Sequence, residues 1–132
     1  MNLEIHHLGY AVPALEKGRE EFAALGWECC GNVTDDVVRK VRIQFMRLGA
    51  HRIELVAPLT EDSPIRKILE KGSGAPYHIC YEADSLEEAE RELKGVGFLV
   101  FKKAAPAPAI EGRRVEWFFG RNTGIMEVVE KG

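Results

Sequence analysis

Cysteine is scarce in this 132-residue chain: Cys29, Cys30 and Cys80 are the only three, and two of them are adjacent. An odd count without a CxxC spacing argues against a disulfide framework and against a thiolate zinc site. The simple reading is three small apolar side chains in a reducing compartment. Long apolar runs are also missing, and nothing approaches the roughly 18 residues that a membrane span needs. The first residues, MNLEIHHLGY, have no basic stretch followed by an apolar core. We therefore expect no signal peptide and a cytoplasmic location. Positive charge is not in excess either: 18 Lys and Arg against 21 Asp and Glu leave a formal net charge of −3. That balance gives no reason to expect a nucleic-acid partner. What is present, 45% hydrophobic and 30% charged residues, suits a soluble globular chain of one domain.

The chain repeats itself. Shifted by 71, His7 falls on His78, Tyr10 on Tyr81, Leu15 on Leu86, Glu16 on Glu87, Glu21 on Glu92 and Gly26 on Gly97. Chance would give about one identity in such a window, and these are six. Each copy begins with a strand-like segment, IHHLGYAV or YHICYEA, followed by a helix. In the second copy Ser85 and Glu88 have the spacing of a capping box ahead of Leu86, Ala89, Leu93 and Val96. Gly26 and Gly97 mark the helix ends. Alternating segments follow: VRIQFMRLG and HRIELVAP in the first copy, RRVEWFFG and GIMEVVE in the second.

The pattern predicts β-α-β-β-β twice, with module one over about 1–60 and module two over about 75–131. Further strands are expected near 28–34 and 98–103. A connecting helix is expected over about 62–71, with Ser63 as N-cap and Pro64 in its first turn. The stretch KKAAPAPAIEG reads as a proline-rich loop that could act as a lid.

Two glutamates stand out because each sits among aliphatic residues in a strand: Glu54 in RIELV and Glu127 in IMEVV. A carboxylate on an apolar sheet face requires a partner, a proton or a metal. His7 precedes Glu54 by 47 residues and His78 precedes Glu127 by 49, so each module offers one imidazole and one carboxylate. Two such modules related by a pseudo-twofold axis would supply a mixed nitrogen and oxygen set suited to a divalent ion. Taken singly, Glu127 also reads as a solvated edge carboxylate, and Glu54 as a partner of Arg52 or Arg42. A strand histidine taken singly is an ordinary hydrogen-bonded residue. The recurrence in both modules is what points to a site. His6 and His51 have no counterpart and read as surface residues.

These modules, with HHLGYAV, IELVAP, YHICYE and IMEVVE, resemble the vicinal oxygen chelate superfamily over essentially the whole chain. The resemblance implies an α+β fold of two tandem β-α-β-β-β modules forming a curved mixed sheet around a metal site (the glyoxalase/bleomycin resistance/dioxygenase fold). It also implies His7, Glu54, His78 and Glu127 as ligands of one divalent ion per site. Nickel or cobalt is favoured, with zinc, manganese or iron as alternatives, and the assembly is expected to be a homodimer. Two activities fit this resemblance. The ligand set is similar to that of bacterial glyoxalase I (lactoylglutathione lyase), which converts a methylglyoxal–thiol hemithioacetal to a 2-hydroxyacyl thioester through an enediolate. The stretch DSPIRKILEKGSGAPYHICYEAD resembles methylmalonyl-CoA epimerase. Glu127 or Glu54 is the expected base in either case.

Some epimerases of the family carry an extra glutamate on the strand corresponding to KVRIQFM, where this chain has Ile43 and Gln44. That departure tips the sequence reading towards glyoxalase-like isomerisation, with the epimerase as the alternative. Non-catalytic drug or antibiotic binding is the reading from another class. For the anionic part of a hemithioacetal or acyl-CoA substrate, the candidates are Arg42, Arg113 and Arg114, with Arg39, Arg47, Lys102 and Lys103 behind them. Gln44 and one ring of Trp117, Phe118 and Phe119 complete the expected contacts.

Overall fold

Alternation of apolar residues with period two should give strands, and period 3.6 should give the two helices between them. A computed structural model, which describes residues 1–132, contains this order twice. The elements are β1 (Leu3–Ala11), α1 (Leu15–Ala24), β2 (Glu28–Asp36), β3 (Val41–Leu48) and β4 (His51–Pro58), then β5 (Ala75–Ala83), α2 (Leu86–Gly95), β6 (Leu99–Ala107), β7 (Arg113–Gly120) and β8 (Gly124–Glu130). The chain forms two compact units, residues 7–77 and residues 1–6 with 78–132.

In the unit of residues 7–77 the strand order is β2-β3-β4-β1. The β2–β3 and β3–β4 pairs are antiparallel, and β4 pairs with β1 in parallel. A parallel pair needs a long crossover, and α1 with β2 and β3 supplies it. Leu8, Tyr10, Val12, Met46, Ile53 and Leu55 form the face that packs with Leu15 and Phe22 of α1 and with Trp27. Successive strand side chains point to opposite faces, so the residues between them, His7, Phe45 and Glu54, belong to the other face.

The second unit repeats the plan with order β5-β8-β7-β6. Here β5 and β8 are parallel, while β7 is antiparallel to both β8 and β6. Ala83, Phe118, Met126 and Val128 pack with Leu86, Ala89 and Leu93 of α2. Truncating a core leucine such as Leu93 to alanine would cost about 2–5 kcal/mol. The opposite face carries His78, Cys80, Trp117 and Glu127 by the same alternation.

Both helices end as the glycines predict, with Gly26 at φ 101° and Gly97 at φ 102°. Ser85 caps α2 by accepting from the Glu88 N–H at 3.2 Å. A Glu88 carboxylate oxygen lies 3.8 Å from the N-terminal amine. None of the three cysteines forms a disulfide, and Cys80 is fully buried.

Three expectations need correction. The connecting helix shrinks to one 3-10 turn, Pro64–Lys67, and Ser63 makes no side-chain cap. A segment of this length satisfies its N–H groups by successive i to i−3 bonds, from Ile68 to Ile65 and from Gly72 to Leu69. The proposed lid is a strand over its first half: Lys102–Ala107 belong to β6, paired with β7 from Lys102↔Trp117 to Ala107↔Arg113, and only residues 108–112 leave the ladder, through a 3-10 turn at Pro108–Ile110. Proline is compatible with a terminal strand, because only one side of β6 is laddered. Strands β2 and β6 also extend beyond the expected 28–34 and 98–103, to Asp36 and Ala107.

Candidate metal centre

Each unit presents a histidine and a glutamate together. In residues 7–77, His7 projects from β1 and Glu54 from the adjoining parallel strand β4, where Gly9 is the register partner of Glu54. His7 Nε2 lies 3.3 Å from Glu54 Oε1, with side-chain exposures of 0% and 7%. In the other unit His78 projects from β5 and Glu127 from β8, where Cys80 is the register partner of Glu127. His78 Nε2 lies 3.4 Å from Glu127 Oε1, with exposures of 0% and 6%.

These separations bear on what the pairs can hold. A charge-assisted N–H···O bond is shorter, about 2.7–2.9 Å. Two neighbouring ligands of one ion, each about 2.1 Å from it, stand roughly 3.0 Å apart at right angles and roughly 3.4 Å apart at a tetrahedral angle. Each His–Glu pair therefore has the spacing of adjacent ligands. Imidazole nitrogen with carboxylate oxygen is also a donor set that suits nickel, cobalt, zinc, manganese or iron. The residues present fit a divalent ion.

Both pairs carry an aromatic companion. Phe45 is the direct cross-strand partner of Glu54, and Trp117 is that of Glu127. The Phe45 ring meets His7 edge-on, with centroids 5.1 Å apart and planes at 83°. The Trp117 ring meets His78 in the same way, at 4.8 Å and 72°. Of the three consecutive aromatics, Trp117 is thus beside a site histidine, Phe118 is buried in the core with α2, and Phe119 is partly exposed. Phe45 escaped the sequence reading. The signal was its place nine residues before Glu54, against ten from Trp117 to Glu127.

Gln44, Arg42, Arg113 and Arg114 are engaged elsewhere rather than free on this face. Gln44 pairs with Leu55 in the ladder, which puts it on the α1 side of β3. Its amide nitrogen donates to the Cys30, Gly31 and Phe45 carbonyls, and its oxygen accepts from Arg19 at 3.4 Å. The role it fills is to satisfy carbonyls where β2 bulges between Cys30 and Thr34. Arg42 is on the same side and is held by its cross-strand partner Asp35 at 2.7 and 3.1 Å. That guanidinium keeps the Asp35 carboxyl below its usual range.

Arg114 faces α2 and bonds Glu87 and Glu130. Arg113 shares the alternation of Trp117, yet it is engaged by the Glu82 carboxylate and by the Glu130 carbonyl at 2.8 Å. The Arg113 guanidinium lowers the Glu82 carboxyl. Arg39 bonds Asp36, and Lys103 bonds Glu90.

An acid pair on the α2 side, buried at Glu116 and reaching the surface at Glu90, was also missed. Glu116 is 1% exposed, and its carboxyl is raised to about 7, first by burial and then by the neighbouring Glu90 carboxyl. Glu90, at the surface, moves the other way because it shares that hydrogen bond and neighbours Lys103. The two carboxyls thus move in opposite directions, as neighbours that share a hydrogen bond do.

A cleft of about 560 Å³ in residues 7–77 is lined by Tyr10, Pro13, Lys17, Glu21, Phe22 and Gly74, on the α1 side, and includes neither His7 nor Glu54. No helix is long and apolar enough to cross a membrane.

Comparison with known proteins bears directly on these pairs. The model of the glyoxalase/bleomycin resistance protein/dioxygenase superfamily matches residues 6–117. The ethylmalonyl-CoA/methylmalonyl-CoA epimerase of Cereibacter sphaeroides is 35% identical over 113 residues, covering 84% of this chain and 84% of that protein. The mitochondrial methylmalonyl-CoA epimerase of Bos taurus is 37% identical over 92 residues, covering 68% of this chain and 52% of that protein. The chain thus spans about half the length of that relative. Among solved structures, a hypothetical protein from Bacillus halodurans C-125 superposes with a TM-score of 0.87 at 28% identity, covering 100% of this chain and 96% of that one.

Proposed function

Because the chain belongs to the glyoxalase/bleomycin resistance protein/dioxygenase superfamily, we propose that it is a metal-dependent epimerase of a methylmalonyl-CoA-like thioester. The observation that carries this reading is the 35% identity to an ethylmalonyl-CoA/methylmalonyl-CoA epimerase across 84% of both chains. Glyoxalase-like isomerisation, the first reading of the sequence, has support only at the level of the superfamily and yields to the epimerase.

In this proposal His7, Glu54, His78 and Glu127 are the ligands of one divalent ion. The ion, when bound, supplies Lewis-acid stabilisation of the negative charge that develops on a thioester oxygen as the neighbouring carbon loses its proton. The protein's own work is binding, orientation and proton transfer. His7 and His78 hold position through their imidazole nitrogens. Epimerisation takes a proton from one face of the carbon and returns one to the other, so it requires an acid and a base. Glu54 and Glu127 are the proposed pair. The site-facing side of β3 offers Ile43 and Phe45, neither of which can take a proton. Ile43, Phe45 and Val56 present apolar surface on the side of Glu54, and Trp117 does so beside Glu127, each of which would exclude water from its own pair.

The test uses deuterated water. Metal-loaded protein with methylmalonyl-CoA should incorporate deuterium at the α-carbon. Methylglyoxal with a thiol should give no thioester. Thioester formation without α-exchange would return the reading to glyoxalase chemistry. Absence of both, with a hydrophobic drug bound, would favour sequestration.

A further inference from the structure

We propose that Phe45 and Trp117 are positioning residues that hold the two site histidines in their ligating orientation. The inference rests on the metal-binding reading above and goes beyond its four ligands. Each aromatic is fixed by two independent relationships within its own unit. It stands directly across the ladder from the site glutamate, Phe45 from Glu54 and Trp117 from Glu127. It also meets the site histidine edge-to-face, Phe45 on His7 and Trp117 on His78. One ring therefore meets the histidine and stands across the ladder from the glutamate of the same pair, and the arrangement recurs in the second unit although the residue type differs.

The physical need is plain. A neutral imidazole turns about two torsions, and only some orientations aim Nε2 at an ion. A ligand histidine is ordinarily fixed by the groups around it, and losing a hydrogen-bonding support of this kind typically costs 10–100-fold in metal affinity. An edge-to-face ring restricts rotation of the imidazole and contributes attraction of its own. Direct cross-strand neighbours have Cβ atoms about 4.5–5.5 Å apart, so the same ring limits the rotamers of the glutamate. Phe45 and Trp117 are both half-buried, as this packing role requires.

The experiment titrates cobalt(II) into the full chain and reads affinity by competition with a chelator and coordination by visible absorption. Phe45→Leu and Trp117→Leu remove a ring while keeping an apolar side chain. Trp117→Phe restores a ring. We expect each leucine variant to bind cobalt about 10–100-fold more weakly with an altered absorption spectrum. We expect Trp117→Phe to recover both.

In a Trp27→Phe background, Trp117 is the only indole left, and its fluorescence should be quenched as cobalt binds. Trp27 packs with Phe22 of α1, away from the histidines. Leucine variants that match the wild type in affinity and spectrum would overturn the inference and leave the metal reading standing. A wild-type chain that binds no cobalt would overturn both. Should one leucine variant fail to fold, the other unit's variant and the Trp117→Phe comparison still decide.

Discussion

Trp117 faces Glu127 directly across the β7–β8 ladder, as Phe45 faces Glu54 across β3–β4. Both aromatics thus occupy the same node of a duplicated plan.

Removing the ion should destabilise the protein. A ligand present at 100 times its Kd adds about 2.7 kcal/mol of stability. Dialysis against a chelator should lower Tm, and nickel or cobalt should restore it. Glu54→Gln and Glu127→Gln should each show a smaller response to added ion than the wild type, by thermal scanning.

The Glu90–Glu116 pair gives stability a pH dependence of defined sign. Glu116 has a folded pKa of about 7, above its ordinary 4.5. Its contribution is complete below the ordinary value and is lost as pH rises through the folded one. The groups facing it are Glu90, with Glu87 beside them, and Lys103 of β6. Tm should fall between about pH 5 and pH 8 in the wild type, and fall less in Glu116→Gln, which keeps a donor for Glu90 at every pH.

Gly120 has no room for a side chain. A Cβ there would lie 2.3 Å from Thr123 Oγ1 and 2.5 Å from Phe98 Cε1. Gly120→Ala should cost about 1–3 kcal/mol through overpacking, measured by urea unfolding. Gly112→Ala serves as a contrast, since its φ of 74° strains the backbone while no atom lies within 4 Å of the added methyl.

Ser85 is the one capped N-terminus of the two helices. Ser85→Ala should lower stability by about 1 kcal/mol. Ala14→Ser, at the corresponding position of α1, should raise it by a similar amount if the new hydroxyl reaches the N–H three residues on.

Much of this was legible in the sequence, and the exceptions have physical causes. Duplication exposes His7 with His78 and Glu54 with Glu127, because a functional side chain and its strand position repeat together. Phe45 was lost because a fixed shift of 71 puts it on Glu116 rather than Trp117. The second module holds more residues between its site residues, so one offset does not serve the whole repeat. Gln44 could have been placed correctly by parity with Phe45, since neighbours in a strand take opposite faces. The partners of Arg113 and Arg114 could not, since Glu82, Glu87 and Glu130 are remote in sequence and meet these arginines only through folding. The lid failed because proline signals loops on average, while a strand laddered on one side tolerates it.

Metal stoichiometry tests the central claim most directly. Purified chain, titrated with cobalt(II) or nickel(II) and quantified by mass spectrometry of the bound metal, should carry one ion per chain. Breaking either pair, by His7→Ala or by His78→Ala, should abolish tight binding altogether. Two ions per chain, with each substitution removing one and sparing the other, would contradict the account.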